Sequence, residues 1–154
     1  MKKLNFPEYD FRIRENERKP EIFDAFRKKY VALTPEEWVR QNLLMYLVNE
    51  KRYPASLIAV EAGLKLYNRT KRTDIVVYNN KGNPLLIAEC KAPEVVINQK
   101  AFDQIARYNM ALKVNYMIVT NGLNHYCCFI DYQNNTIKYL KDIPDYKNLL
   151  TDVK

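Results

Sequence analysis

Asp74, Glu89 and Lys91 are the residues of this chain whose types and spacing could do chemistry. Asp74 opens the apolar run IVV, and Glu89 and Lys91 close the run LLIA. Ionisable groups that abut buried strands usually have a functional reason to be there. Between the runs lies NNKGN, a tight-turn signal with Gly82 available for positive φ. With Lys81 and Gly82 as the two central turn residues, facing residues of the hairpin share an index sum of 163. Positions 74 and 89 have that sum, so the two carboxylates face one another with Cβ atoms about 4.5–5.5 Å apart. Lys91, two places beyond Glu89, emerges on the same face. Facing carboxylates repel unless a cation lies between them. Oxygen ligands favour Mg²⁺ or Mn²⁺. Asp74 and Glu89 would hold that ion, and the backbone carbonyl of Cys90 could add a ligand. Lys91 could orient or deprotonate a water, or stabilise developing negative charge. Such a patch suits metal-assisted phosphodiester hydrolysis. The competing reading is a surface salt-bridge cluster, because acid-x-Lys is a common string.

These groups need elements to position them. Thr34 before Pro35, with Glu36 and Glu37 following, is a helix start with a capping box. The helix runs to about residue 51, presenting Val39, Leu43, Leu44, Leu47 and Val48 on one face. Residues 56–67 then read as a strand with Ile58, Val60, Ala62, Leu64 and Leu66 on one face, and Glu61 and Lys65 on the other. TDIVVYN and LLIAECK are the next two strands. Residues 98–113 read as a helix, YMIVT as a buried strand, HYCCFIDY as another, and TIKYL as an edge strand. Residues 1–33 read as an N-terminal arm with one short helix, residues 34–150 as the main domain, and the last dozen residues as frayed.

Composition narrows the class. The chain has 154 residues, 47% apolar, enough for one domain with a proper core. Net charge is +7, spread as +3 over residues 1–33 and +4 over the rest, which permits a polyanionic partner. The densest basic stretch (Lys65, Arg69, Lys71, Arg72) is a candidate phosphate contact. No apolar run reaches the roughly 18–20 residues of a membrane span, and the N-terminus does not read as a signal peptide. One histidine excludes sites needing two or three imidazoles, and Cys90, Cys127 and Cys128 have no metal-binding spacing. A reducing cytoplasm fits these thiols.

The segments LTPEEWVRQ, RTDIVVYN, PLLIAECKAP and DQIARYN, in that order, resemble the PD-(D/E)xK nuclease superfamily. More narrowly, they resemble the N-terminal nuclease domain of type I restriction enzyme R subunits, over about residues 20–130. Gln104-x3-Tyr108 is similar to that group's QxxxY element. The resemblance implies an α/β (α+β) fold with a restriction-endonuclease-like αβββαβ core, a central mixed sheet flanked by helices. It implies Asp74, Glu89 and Lys91 as catalytic residues, with Gln104 and Tyr108 helping to position them or the nucleic-acid backbone. Glu61 could be a third metal ligand, or a partner for Lys65 or Lys91. Glu37 is a further ligand candidate that capping alone could explain, and Arg40 could pair with Glu36 or Glu37 or contact phosphate. Thr73 stands where the superfamily's name has proline. No GxxxxGK[ST] loop is present, so no ATP-driven motor lies in this sequence and other chains would supply translocation and target choice. The expected function is a Mg²⁺-dependent endonuclease acting on duplex DNA, with a homodimer plausible. The alternative is a non-catalytic nucleic-acid-binding or assembly module that retains the fold, and a third option is an RNA or branched DNA substrate.

Overall fold

A computed structural model describes residues 1–66 and 69–152, with the side chains at 65–72 and 152 outside the described set. Helix α1 spans Pro35–Asn49 and opens as its residues require. Thr34 is the N-cap, its hydroxyl accepting from the Glu37 backbone N–H at 3.0 Å, and Pro35 occupies the first turn. The reciprocal half of a capping box does not form: the Thr34 N–H donates to the Ala32 carbonyl instead. The Glu37 carboxylate is thereby released for other partners.

The main sheet runs β4 (Ile58–Leu66), β5 (Arg69–Tyr78), β6 (Pro84–Cys90), β7 (Tyr116–Thr120), β8 (His125–Asp131) and β9 (Thr136–Leu140), paired in that order. Among the described residues only β6 and β7 pair in parallel, because helix α2 (Gln99–Asn109) makes the crossover between them. The sheet is therefore mixed, with the expected αβββαβ order at its centre. Residues alternate between two cores. Val39, Leu43, Leu44 and Leu47 of α1 pack with Ile75, Val77, Leu86, Ala88, Ile118 and Cys127. Phe102 and Ala106 of α2 pack with Val76, Ile87, Met117, Val119 and Cys128. The adjacent Cys127 and Cys128 thus fill opposite cores, both as free thiols.

Four expectations need correction. The N-terminal arm holds no helix. It is an antiparallel meander of β1 (Ile13–Asn16), β2 (Lys19–Asp24) and β3 (Lys29–Ala32). Its first turn is Glu17-Arg18, both at positive φ (50° and 69°). Two-residue hairpin turns with two positive φ values normally carry Asn or Gly, so the turn has no sequence signal.

The hairpin between β5 and β6 has a different turn from the one expected. The Asn79 N–H donates to the Asn83 carbonyl at 2.9 Å, enclosing three loop residues, with Gly82 at φ +82°. A register shift at Val77/Tyr78 compensates, and Ile75↔Ala88, Val76↔Ile87 and Val77↔Leu86 all keep the index sum of 163. The third correction concerns β4, whose apolar positions do not share one face. Ile58 and Val60 pack on the α1 side, but Ala62 and Leu64 pack on the α2 side. Glu61 at φ +58° breaks the alternation between them. Last, the C-terminal segment is not frayed throughout. Helix α3 (Tyr146–Asp152) buries Leu149, and the Tyr146 hydroxyl donates to the Tyr78 carbonyl at 3.1 Å.

Residues preceding the meander are pinned to the β7–β8 turn. The Asn5 N–H donates to the Gly122 carbonyl at 2.7 Å, and His125 stacks on Phe6 while hydrogen-bonding the Asn5 carbonyl at 2.8 Å. Gly122 has φ +87°, and a Cβ there would stand 2.8 Å from Leu4 Cδ2 and 3.1 Å from Val39 Cγ2. Gly122→Ala is therefore expected to destabilise the domain by about 1–3 kcal/mol through backbone strain and crowding. Thermal melting checks this, and a midpoint equal to wild type would mean that residues 4–6 do not dock as described.

Candidate active site

The β5–β6 ladder ends at Ile75 and Ala88, so Asp74 and Glu89 are the next residue on each strand. Beyond that point Asp74 takes over the hydrogen bonding of the main chain. Its Oδ2 accepts the Cys90 backbone N–H at 2.7 Å. The next amide, that of Lys91, has turned to β7 and donates to the Thr120 carbonyl at 2.8 Å. At the rim of the sheet opens a cleft of about 310 Å³. Glu36, Glu61, Asp74, Glu89 and Lys91 line it, with Cys90, Asn109, Ile87 and Met117 among its walls. The three residues singled out by spacing are thus together, and the Lys91 Nζ lies 3.7 Å from Glu89 Oε2.

The centre of the charge network is Arg40 on α1, 4% exposed. Its Nη2 donates to Asp74 Oδ1 at 2.6 Å and lies 3.0 Å from Glu61 Oε1 and 3.4 Å from Glu36 Oε1. Its Nη1 donates to Glu37 Oε1 at 2.5 Å. Burial works against the guanidinium's charge. The hydrogen bond to Asp74 and the charges of Glu37 and Asp74 outweigh it, so its pKa lies above the ordinary value. Burial first, and then the charge of Asp74, raise the Glu36 carboxyl above its usual range. Burial likewise holds the Cys90 thiol well above its ordinary pKa, so Cys90 can offer the cleft its carbonyl but not a thiolate.

Glu61 lines the cleft and lies opposite Asp74 in the β4–β5 register, between the pairs Val60↔Ile75 and Ala62↔Thr73. Glu37 does not reach the cleft. It is 5% exposed, and its Oε2 accepts from Arg27 Nη2 at 2.8 Å and Gln41 Nε2 at 3.1 Å. Its expected roles as metal ligand and as capping-box acceptor both give way to ion pairs with the buried Arg40 and the half-buried Arg27. Gln104 and Tyr108 are exposed on α2, Tyr108 at 73%, and neither lines the cleft. At the end of that helix it is Asn109 that does. The side chains of Lys65, Arg69, Lys71 and Arg72, the expected phosphate contacts, lie outside the described residues.

Sequence reasoning missed Glu36 as a cleft residue and Arg40 as the hub. The i, i+4 spacing of Glu36 and Arg40 on α1 was the available signal for their contact. Among the described residues, no group of three or more His, Cys, Asp or Glu side chains could by itself hold a metal ion. The donors on the cleft have the chemistry of a hard-cation site all the same. Carboxylates of Asp74, Glu89 and Glu61 and the main chain at Cys90 offer only oxygen, and no imidazole or thiolate competes.

Residues 35–144 match the family described as Type I restriction enzyme R protein N terminus (HSDR_N). The chain belongs to this family. The fold of the R-protein N terminus agrees with a solved relative, a fragment structure described as an HsdR subunit of a type I restriction enzyme from Vibrio vulnificus YJ016. That structure superposes with a TM-score of 0.53 at 18% identity, over 78% of this chain and 26% of the other. This R-protein N-terminal chain therefore spans about a quarter of the length of that fragment. No curated protein sequence matches it. Among its described residues, no helix is long and apolar enough to cross a membrane.

Proposed function

We propose that this R-protein N-terminal domain is a metal-dependent endodeoxyribonuclease cutting duplex DNA. The observation that carries the reading is the joint presence of Asp74, Glu89 and Lys91 on one cleft at the point where β5 and β6 part. Asp74, Glu89 and the Cys90 carbonyl would hold Mg²⁺ or Mn²⁺, with Glu61 able to join them. The bound ion would supply Lewis-acid polarisation of the phosphate and a more acidic water. The chain's own contribution is orientation and charge. The Lys91 ammonium, 3.7 Å from Glu89 Oε2, would donate a hydrogen bond to a phosphate oxygen as negative charge builds there. The Cys90 N–H orients the Asp74 carboxylate through Oδ2, while Arg40 engages Oδ1. Exposed Gln104 and Tyr108 would meet the nucleic-acid backbone outside the cleft. Motor and target-choice functions would come from other subunits of a type I enzyme, and the site of action would be the cytoplasm.

The ion pair of Arg40 with Asp74 favours one second reading, a non-catalytic DNA-binding or assembly module that uses the carboxylates structurally. Nicking of a supercoiled plasmid with Mn²⁺ separates the two. Wild type is expected to nick, and Lys91→Ala to nick at least 100-fold more slowly. Lys91 is 38% exposed at its side chain, so its truncation should leave folding intact. Equal rates would overturn the assignment.

A further inference from the structure

Arg40 Nη2 stands where the carboxylates of Asp74, Glu61 and Glu36 converge. Its position is fixed from behind. Nη1 is held by Glu37, which is itself clamped by Arg27 and Gln41, and Arg27 is paired with the buried Asp24. This chain of contacts runs from the N-terminal meander to the cleft, and it keeps the guanidinium from swinging into solvent. Arg40 Nε is buried with no hydrogen-bond partner among the described residues. A buried guanidinium usually satisfies its donors. Here charge, rather than complete hydrogen bonding, determines where the group sits. The backbone shows the same tension, since Glu61 reaches Arg40 from a positive φ that non-glycine residues seldom adopt.

We propose that Arg40 is the resident counter-ion of the cleft, and that a divalent cation binds there in competition with it for Asp74 Oδ1 and Glu61. The proposal rests on reading the cleft as a metal site. Two of the carboxylate oxygens that Arg40 engages, Asp74 Oδ1 and Glu61 Oε1, are ones whose charge the ion needs, and two cations so close repel. Arg40 is thus a positioning residue that keeps the acidic cluster folded while weakening its hold on metal. A purely structural arginine would act in the opposite direction, because its loss would scatter the ligands.

The test is Mn²⁺ binding to the full chain, read as loss of the free-ion electron paramagnetic resonance signal and as a Mn²⁺-dependent rise in melting temperature. Arg40→Met is expected to melt lower than wild type without metal, to bind Mn²⁺ at least tenfold more tightly, and to gain more in melting temperature from it. Arg40→Lys keeps a cation but has no second nitrogen to hold Glu37 while another faces the cleft carboxylates, and should fall between the two. If both variants bind no more tightly than wild type while Asp74→Asn loses binding, the competition is refuted and the metal site stands. If wild type and both arginine variants bind no Mn²⁺, the metal site itself fails and the proposal with it. Should Arg40→Met be unfolded without metal, recovery of its far-ultraviolet circular dichroism on adding Mn²⁺ supports the proposal. No recovery, together with unimproved binding by Arg40→Lys, overturns it.

Discussion

Asp74→Asn is expected to lower Mn²⁺-dependent nicking at least 1,000-fold, more than any other single substitution in the cleft. Asp74 does two jobs that an amide cannot both perform. Oδ2 accepts the Cys90 N–H, and Oδ1 accepts from Arg40. Asparagine has one oxygen. If it faces Cys90, an amide NH₂ points at the guanidinium. If it faces Arg40, the Cys90 N–H meets another donor. Either way one part-buried bond is lost, at a cost of about 1–3 kcal/mol. The loss of activity would exceed what that destabilisation explains, because the proposed metal loses a full negative charge. A thousandfold change corresponds to about 4 kcal/mol of transition-state stabilisation. Nicking should therefore stay low at temperatures where circular dichroism shows the variant still folded. Activity within tenfold of wild type would remove Asp74 from the active site.

The hairpin that places Asp74 beside Glu89 was legible from its apolar runs, although its turn was not. Buried alternation fixes register strongly, because a one-residue slip would put every apolar side chain on the wrong face. The three-residue loop and the shift at Val77/Tyr78 are two local departures that cancel. The cores that clamp the hairpin were equally legible, since the spacing of Val39, Leu43 and Leu47 and the unbroken burial of Tyr116–Thr120 leave few alternatives.

What could not be read is backbone that departs from residue preference. Glu17, Arg18 and Glu61 all adopt positive φ without being glycine or asparagine. Such conformations persist only when surrounding contacts impose them, and those contacts are long-range. The Glu61 kink divides β4 between the two cores and places its carboxylate against Arg40. Local pattern carries no trace of this. The same limit applies to Arg40: its spacing from Glu36 and Glu37 shows a helix-surface pair, while its partners Glu61 and Asp74 lie 21 and 34 residues away. Gln104 and Tyr108 show the reverse case. Their shared helical face was legible, but only packing decided that the face looks outward and that Asn109 meets the cleft.

Glu37→Ala should produce the largest loss of stability, because it leaves two largely buried guanidiniums without the carboxylate they share. Arg27 and Arg40 side chains are 18% and 5% exposed, and Glu37 stands between them at 2.8 and 2.5 Å. Breaking a buried ion pair from one side typically costs 3–5 kcal/mol, roughly, since the remaining charge stays desolvated. Asp24 still serves Arg27, and Asp74 still serves Arg40, so the lower end of about 3 kcal/mol is expected. For a domain of this size that lowers the melting midpoint by about 10 °C. Glu37→Gln keeps an acceptor and the side-chain volume and should lose less than half as much. Mn²⁺ binding by Glu37→Gln should stay within about tenfold of wild type, because the carboxylate touches no wall of the cleft. A metal ligand would show the converse, a modest melting shift with binding abolished, and that outcome would return Glu37 to the active site. The acid that begins α1 holds the arginine, and the arginine holds Asp74, so the helix contributes to the proposed chemistry only through what it fixes in place.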